Sequence, residues 1–585
     1  MKTILFILSV FLVHLSGQAQ FFQIYNHQVL DSFSGFSDIV VDSNSIQVVG
    51  GSGYLPMRSP LLIEEIEDNG YINNIFTGNN SDTTIQITTA NGTKLFKNYR
   101  GNYMVFFVDL HANQSYLKCM EADENGNLVH DTIFTQYPLV VNHYQPYTLR
   151  TLQNLDSTFT LLVNSARPTT DTSYIKSSID FIKITDDFEI EQIKNVQLTD
   201  EKEGFRLGKI LNRNNGNILI TYNFIEFEVQ NGASYMFIKE FDSNLNLVFS
   251  KKINPTLKNL GGYGLLDLDT AVVFTFSNSS IGVQNTFYDF NLFCYSFNAD
   301  SIVWKKNLIP FHLTSLGSET LVNDLVLNKN NEIVLSLSRY EPGDSLTHRT
   351  FELQNRTVYG DLNWARNYKH YGDNSVTYCT YRIVVYNNEI YGCGKLLNHN
   401  FYLEGKPYEF AYVFKTNCLG YLDAPELDIQ TSITENQLII QNNSSYFDSL
   451  FIDYGDGITQ IVHNSTDTIK HIYEVGGEYE LRIKPITCDA GLDTSYLQKI
   501  QIDISPNGLL IYPNPSSGIY TLEYKFFQPN AKFVVFDLKG KLVHRSTLPG
   551  TNGNHVLDLS HIATGVYLLE VEGDNTTESY KIVKQ

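Results

Sequence analysis

Carboxylates, imidazoles and thiols are the side chains that could do chemistry here, and their spacing is the first guide. In FIDYGDGITQIVHN, residues 451–464, Asp453 and Asp456 stand on either side of Gly455. Two carboxylates can work as acid and base when they flank a cleft at a controlled separation, or hold a hard cation when other oxygens complete the shell. The surrounding alternation predicts something plainer. Leu450, Ile452 and Tyr454 share one strand face, Phe451 and Asp453 share the other, and Gly455-Asp456-Gly457 reverses the chain. A hairpin tip offers no cleft, so the turn reading outweighs the metal and catalytic ones.

Histidines elsewhere are isolated: His27, His111, His130, His143, His312, His348, His370 and His399. His348 and His370 lie near Glu341 and Asp344 in a polar insertion that could gather ligands at one rim, but scattered loop residues explain them equally well. Six cysteines are too dilute to frame the fold, and no Cys-x-x-Cys accompanies them. Cys379, Cys393 and Cys418 cluster, and the expectation is a disulfide among these three. No nucleophile elbow, His-Glu-x-x-His, phosphate loop or dinucleotide fingerprint occurs. The sequence therefore assigns no catalytic, cofactor-binding or metal residue, and expects no cofactor. Calcium is the alternative reading of the acidic turns 67–70, 123–126 and 242–244, whose Asp and Asn are accounted for by turn chemistry.

The elements that must position these residues are strands. From residue 21 to about 422, short runs rich in Val, Ile, Phe and Tyr alternate with Asn, Asp, Gly and Ser. A coarse unit of three or four strands repeats from residue 37 onward. From Leu149 the unit starts lie 57, 57, 59 and 59 residues apart, at Arg206, Tyr263, Val322 and Tyr381. A sheet of this size cannot bury both its faces alone, and radial stacking of copies covers the faces and protects the edges. The expected fold is all-β: a β-propeller of about seven blades over 20–422, then an immunoglobulin-like β-sandwich over 423–503, then a small β-sandwich over 504–585. A pair of large sandwiches is the alternative for the first part, and it would not explain the even spacing.

Three resemblances accompany this reading. FIKEFDSNLNLVFSK (237–251) and YSFNADSIVWKKN (295–307) resemble the propeller-like repeats common in secreted proteins of the Bacteroidetes, the first without the usual tryptophan. Residues 423–503 look like a PKD domain, on Asp453, Tyr454, Gly455-Asp456-Gly457, His471 and Tyr473, Gly476-Gly477 and Tyr479, with Ile452 where the family has tryptophan. That resemblance implies a spacer or adhesion module. Residues 504–585 resemble the type A sorting domain of the type IX secretion system. The blocks are Tyr512-Pro513-Asn514-Pro515 with Gly518, Asp537 to Gly540, Gly565-Val566-Tyr567, and Lys581 in the closing strand. This resemblance implies the type IX machinery as partner and a secreted or surface-attached product. Physically, Gly565 is expected to supply a bend before the penultimate strand.

Residues 1–19 read as a secretory signal peptide: Lys2, a mostly apolar run from Ile4 to Leu15, and small residues ending at Ala19. No later run is long and apolar enough for a membrane-spanning helix. Acidic residues number 63 against 42 basic ones, a formal charge of −21, which excludes general affinity for nucleic acid. The chain holds 37 Tyr, and Tyr340, Tyr359, Tyr368, Tyr371 and Tyr402 are candidates for exposed loop aromatics, although sheet-rich proteins also use Tyr in strands. Two function classes stay open: a secreted or cell-surface binding protein for an extracellular glycan or protein, and a carbohydrate-active enzyme with its site in the propeller funnel.

Overall fold

The computed structural model describes residues 21–25, 33–43, 45–53, 61–67, 70, 72–77, 94–110, 115–139, 149–168, 175–197, 203–226, 234–253, 258–261, 264–281, 286–308, 321–340, 349–368, 376–403, 406–423, 425–434, 436–463, 468–487, 495–502, 508–525, 530–572 and 577–585. The expected signal peptide, His27, His111, His143, His312, His348, His370, Glu341, Asp344, Tyr371 and Cys488 lie outside them. Every regular element among the described residues is a strand, and none is a helix long and apolar enough to cross a membrane. The chain divides into two compact units, Met1–Ala424 and Pro425–Gln585.

The first unit is a succession of antiparallel meanders. Sheets occupy 33–77, 94–139, 149–197, 203–253 and 258–307; the first four pair their strands in chain order, and in the fifth 258–261 and 265–267 share one partner, 271–281. Residues 321–368 and 376–416 form two more such meanders, joined by a single parallel contact between Arg349 and Thr377. The last meander is completed from the other end of the unit, because Phe21–Tyr25 pairs with Lys406–Thr416 in the register Phe21 to Lys415 and Tyr25 to Ala411.

Both faces of each sheet are apolar because each sheet packs between two others. Leu161 and Val163 join Phe106 and Leu117 in one core, whereas their neighbour Leu162 joins Leu207 and Tyr222 in the next. Further cores continue the series through Phe274 and Met236, then Leu325 and Val273, then Phe351 and Phe414. The final core sets Tyr391 and Val413 of the last meander against Phe36 and Val48 of the first sheet. The stacking therefore closes on itself, a propeller-like arrangement in which no sheet face is left to solvent.

A polar latch recurs at the outer rim. Lys194 Nζ donates to Asn246 Oδ1 (3.0 Å), Lys251 pairs with Asp300 (2.7 Å), Lys306 pairs with Asp361 (2.6 Å), and Arg366 donates to Tyr421 Oη (2.7 Å). Each joins the outermost strand of one sheet to the last turn of the next. Exposed pairs contribute little energy singly, so they fix register more than they stabilise. The two tryptophans sit in the same place. Trp304 lies against Gly360 and Trp364 against Gly420, where a Cβ would come within 2.8 Å of the indole and φ is near +80° and +75°. Only glycine fits there.

The second unit contains two separate cores. Over 425–502, a sheet of three strands (429–434, 437–442, 469–472) and one of four (449–453, 459–463, 477–486, 496–502) share a core that includes Leu438, Ile452, Tyr473 and Leu481. Over 508–585 the same three-plus-four arrangement recurs, with Tyr520, Leu522, Phe533, Leu569 and Ile582 inside.

The three clustered cysteines do not pair as expected. Cys379 and Cys393 form no disulfide, nor do Cys119 and Cys294, whereas Cys418 is disulfide-bonded. In the strand register Cys379 lies opposite Lys395, and Cys393 lies opposite Arg382. Cys393 faces the core beside Val413, so the two thiols are held in different environments of one hairpin.

Candidate functional site

The opening question about Asp453 and Asp456 has a structural answer. Tyr454 N–H donates to Ile458 O (3.2 Å), closing the hairpin that the glycines predicted. Asp453 Oδ1 accepts from Gly455 N–H, and Asp456 Oδ1 from Ile458 N–H, both at 3.0 Å. Asp456 Oδ2 lies 2.7 Å from His471 Nε2, and His471 stacks on Tyr454 at 3.8 Å between ring centroids. Tyr473 Oη donates to Tyr454 O (3.0 Å), and its ring stacks on Tyr479 at 4.4 Å. Gly477 opens a strand (Gly477–Ile486). These residues tie the turn to the strand Ile469–Ile472 and hold one another.

The tail residues are equally inward-looking. Asn514 donates through Nδ2 to Lys581 O and accepts from Val583 N–H, both at 2.8 Å, so the Tyr512-Pro513-Asn514-Pro515 segment is fastened to the last strand. Asp537 Oδ1 accepts from Lys539 and Lys541 N–H (2.9 Å each), forming the turn that Gly540 completes. Gly518 O accepts from Leu559 N–H (2.6 Å), and Tyr567 Oη donates to Ala563 O (2.7 Å). Gly565 begins the strand Gly565–Glu572 directly after a bend at Thr564, and a Cβ there would meet Tyr567 only at ordinary contact distance, so the bend does not require glycine at 565. Lys584, at the end of the closing strand, adds a further tie: its ammonium donates to the carbonyls of Leu559 (2.9 Å), Ser560 (2.7 Å) and Ile562.

Two of the acidic turns behave as turns, and Asp68 and Asn69 of the third lie outside the described residues. Asp123 Oδ1 accepts from Asn125 and Asn127 N–H at 3.0 and 2.7 Å, and Asp242 repeats the pattern with Asn244 and Asn246. Among the described residues no group of three or more His, Cys, Asp and Glu could hold a metal. Of the tyrosines, Tyr368 belongs to a core and donates to Gly420 O, whereas Tyr359 is exposed on a turn.

What sequence reasoning missed is a charged cluster contributed by the innermost strands of the first unit. Asp38 comes from Phe33–Val41, Lys94 from Lys94–Lys97, Arg150 from Leu149–Gln153, Lys209 from Glu203–Asn212, Asp324 from Leu321–Leu327 and Arg382 from Val376–Tyr386. Four of these strands shift register beside the charged residue: between Phe36 and Asp38, Leu207 and Ile210, Val322 and Asp324, and Thr380 and Arg382. A bulge of this kind re-aims side chains out of the pleat, and here it turns charges out of otherwise apolar strands.

Asp324 is the hub. Its carboxylate accepts from Lys209 Nζ (2.9 Å), from an Arg382 guanidinium nitrogen (3.0 Å) and from Ile383 N–H (3.1 Å). Lys209 and Asp324 belong to sheets separated by the intervening 258–307 sheet, so the pair spans the inside of the ring. Burial would raise the Asp324 carboxyl, but the Lys209 and Arg382 charges and these hydrogen bonds outweigh it and hold it down at about 2. Asp38 accepts from Leu95 N–H (3.1 Å) and lies 3.4 Å from Arg382 Nε. Arg150 donates to the carbonyls of Gly208 (2.7 Å), Leu149 (3.0 Å) and Leu207 (3.3 Å), and burial pushes its guanidinium down to about 10. Lys94 is half-buried; burial first, and then the Arg382 charge, push its ammonium down to about 8.

A repeat-phase signal could have found this cluster. The six residues fall 56, 56, 59, 115 and 58 positions apart, one repeat each except for the double step across the 258–307 sheet. Charge at one phase of an apolar repeat is not a motif in any single stretch.

Comparison with known proteins adds the following. The secretion system C-terminal sorting domain matches residues 510–585. This tail indicates export through the type IX secretion system, so the protein is secreted or attached at the cell surface. No curated protein matches the chain. Among solved structures, the chain is similar to a polysaccharide lyase, Uly1, at 11% identity and TM-score 0.43, covering 65% of this chain and 90% of that one. It is also similar to a GH93 α-L-arabinofuranosidase of Fusarium graminearum (9% identity, TM-score 0.36, 56% and 93% covered). A third is the β-propeller domain of the Trilobed protease from Pyrococcus furiosus (10% identity, TM-score 0.34, 65% and 93% covered). At these TM-scores the likenesses carry no inference about activity.

Proposed function

We infer that the chain is an extracellular binding protein: a β-propeller of about seven blades over 20–422 that presents its axial cluster to a ligand, followed by a PKD-like spacer over 423–503 and the sorting domain over 504–585. The observation that supports this most directly is the convergence of Asp38, Lys94, Lys209, Asp324 and Arg382 from separate inner strands. Buried charge destabilises a fold unless it is paired, so a charged cluster inside an apolar ring is the place where this scaffold departs from simple packing.

Its carboxylates favour binding over hydrolysis. A glycosidase acid must carry a proton near neutral pH. Asp324 does not, because Lys209 and Arg382 hold it ionised. Asp38 is taken up by Leu95 N–H and Arg382.

The test is a screen of the full secreted chain against extracellular glycans, matrix proteins and cell surfaces, with product analysis in parallel. Saturable binding without turnover is the expected result. A clean negative on all three classes would remove the binding reading, and bond cleavage would replace it with the carbohydrate-active enzyme.

A further inference from the structure

The axial cluster holds two polar donors for which the described residues supply no acceptor. Arg382 Nε is buried and makes no hydrogen bond, since Asp38 Oδ1 at 3.4 Å is an ion-pair neighbour and lies outside the pairing geometry. Lys94 has no ion pair among the described residues, although Lys97 on the same strand is paired with Asp42 at 2.6 Å. Both carboxylates of the cluster are already committed, Asp324 to Lys209, Arg382 and Ile383 N–H, and Asp38 to Leu95 N–H and Arg382. Lys94, Lys209 and Arg382 therefore set three positive charges against two negative ones. A buried donor left without an acceptor costs stability. Arg382 Nε is such a donor, and Lys94 beside it is a half-buried ammonium with no ion pair among the described residues, so together they favour a negatively charged acceptor.

We propose that Lys94 Nζ and Arg382 Nε–H form an anion subsite at the centre of the ring, which takes a single oxyanion group, a carboxylate or a sulfate. The flat, forked guanidinium and the mobile ammonium suit an oxyanion with more than one acceptor oxygen. The overall charge of −21 repels long polyanions, so the fitting ligand carries its charge on one group that can reach the axis. The inference rests on the binding reading above and names the chemistry of that ligand.

The full chain is titrated calorimetrically with sodium glucuronate, sodium sulfate and, as the neutral control, glucose, at fixed chloride. Glucuronate or sulfate binds and glucose does not; whichever binds identifies the oxyanion. Lys94→Gln weakens that binding at least ten-fold, about 1.4 kcal/mol, and Lys94→Arg retains it. No heat with either anion overturns the proposal, since water alone then serves the two donors, and so does equal affinity in folded Lys94→Gln. Should Lys94→Gln not fold, the wild-type titration and Lys94→Arg still decide. Because free anions are the probe, failure here leaves the ligand screen standing, and a negative screen does not remove a positive titration.

Discussion

Lys209 and Asp324 are 115 positions apart in sequence, and their side chains meet at 2.9 Å inside the ring. The pair is closed by Arg382 on the other Asp324 oxygen at 3.0 Å. It reports directly on closure, because it exists only when sheets from separate parts of the chain face one axis.

Replacing Asp324 by Asn should strand two cations and destabilise the first unit by about 3 kcal/mol, the scale for breaking a buried pair from one side. The pH dependence has a definite sign. The folded carboxyl lies at about 2, below the ordinary value near 3.9, so its contribution of about 2–3 kcal/mol is complete above pH ~4 and is lost as the pH falls through ~2. Denaturant melts at pH 5 and pH 2 should show this loss in the wild type, and it should be missing from Asp324→Asn.

Lys94 should behave oppositely. Its ammonium is pushed down to about 8, below the ordinary ~10.4, so keeping it charged in the fold costs stability at neutral pH, up to about 3 kcal/mol. Without added anion, Lys94→Gln should be at least as stable as wild type at pH 7. The difference should shrink between pH ~8 and ~10.4, as the wild-type lysine loses its proton. Parallel melts across that range check the slope; a Lys94→Gln protein that is clearly weaker at pH 7 would contradict it.

The turn at Asp456 distinguishes two neighbouring glycines. A Cβ at Gly455 (φ +82°) would lie 2.8 Å from the backbone of Glu480, whereas one at Gly457 (φ +91°) would meet nothing within 4 Å. Gly457→Ala should cost about 1–2 kcal/mol for the left-handed backbone alone, and Gly455→Ala clearly more. Hydrogen exchange of the amides in 449–463 should rank the variants in that order.

In the tail, Lys584→Met removes the donor shared by three carbonyls. A loss of about 1–3 kcal/mol is expected, visible as faster limited proteolysis of 510–585. Deleting 504–585 outright should leave the first unit folded and hold it in the periplasm, as cell fractionation would show; wild-type amounts outside the cell would contradict the sorting role.

A non-reducing peptide map should return Cys119, Cys294, Cys379 and Cys393 as free thiols and Cys418 as bridged. Burial pushes the Cys119 and Cys393 thiols well up, so alkylation of the native protein should spare both.

The sequence by itself determined what is local. Alternating Val, Ile, Phe and Tyr specified strands, Asp-Asn and Gly turns separated them, and Asp453 and Asp456 read as turn residues, because an Asx side chain bonds to amides only two to four positions away. The tail motifs were also legible, since Asn514, Asp537 and Gly540 act within their own small sandwich. Only the tertiary structure decided the axial cluster and the cysteines. Asp38, Lys94, Lys209, Asp324 and Arg382 each look like a lone charge in an apolar strand, and what makes them a group is the closure of the ring together with bulges that turn them inward. Cys393 sits near Cys379 in sequence, yet the hairpin sets it opposite Arg382 and buries it in the core beside Val413. Pairing depends on where strand register aims a side chain, and register is set by packing between sheets that are distant in the chain.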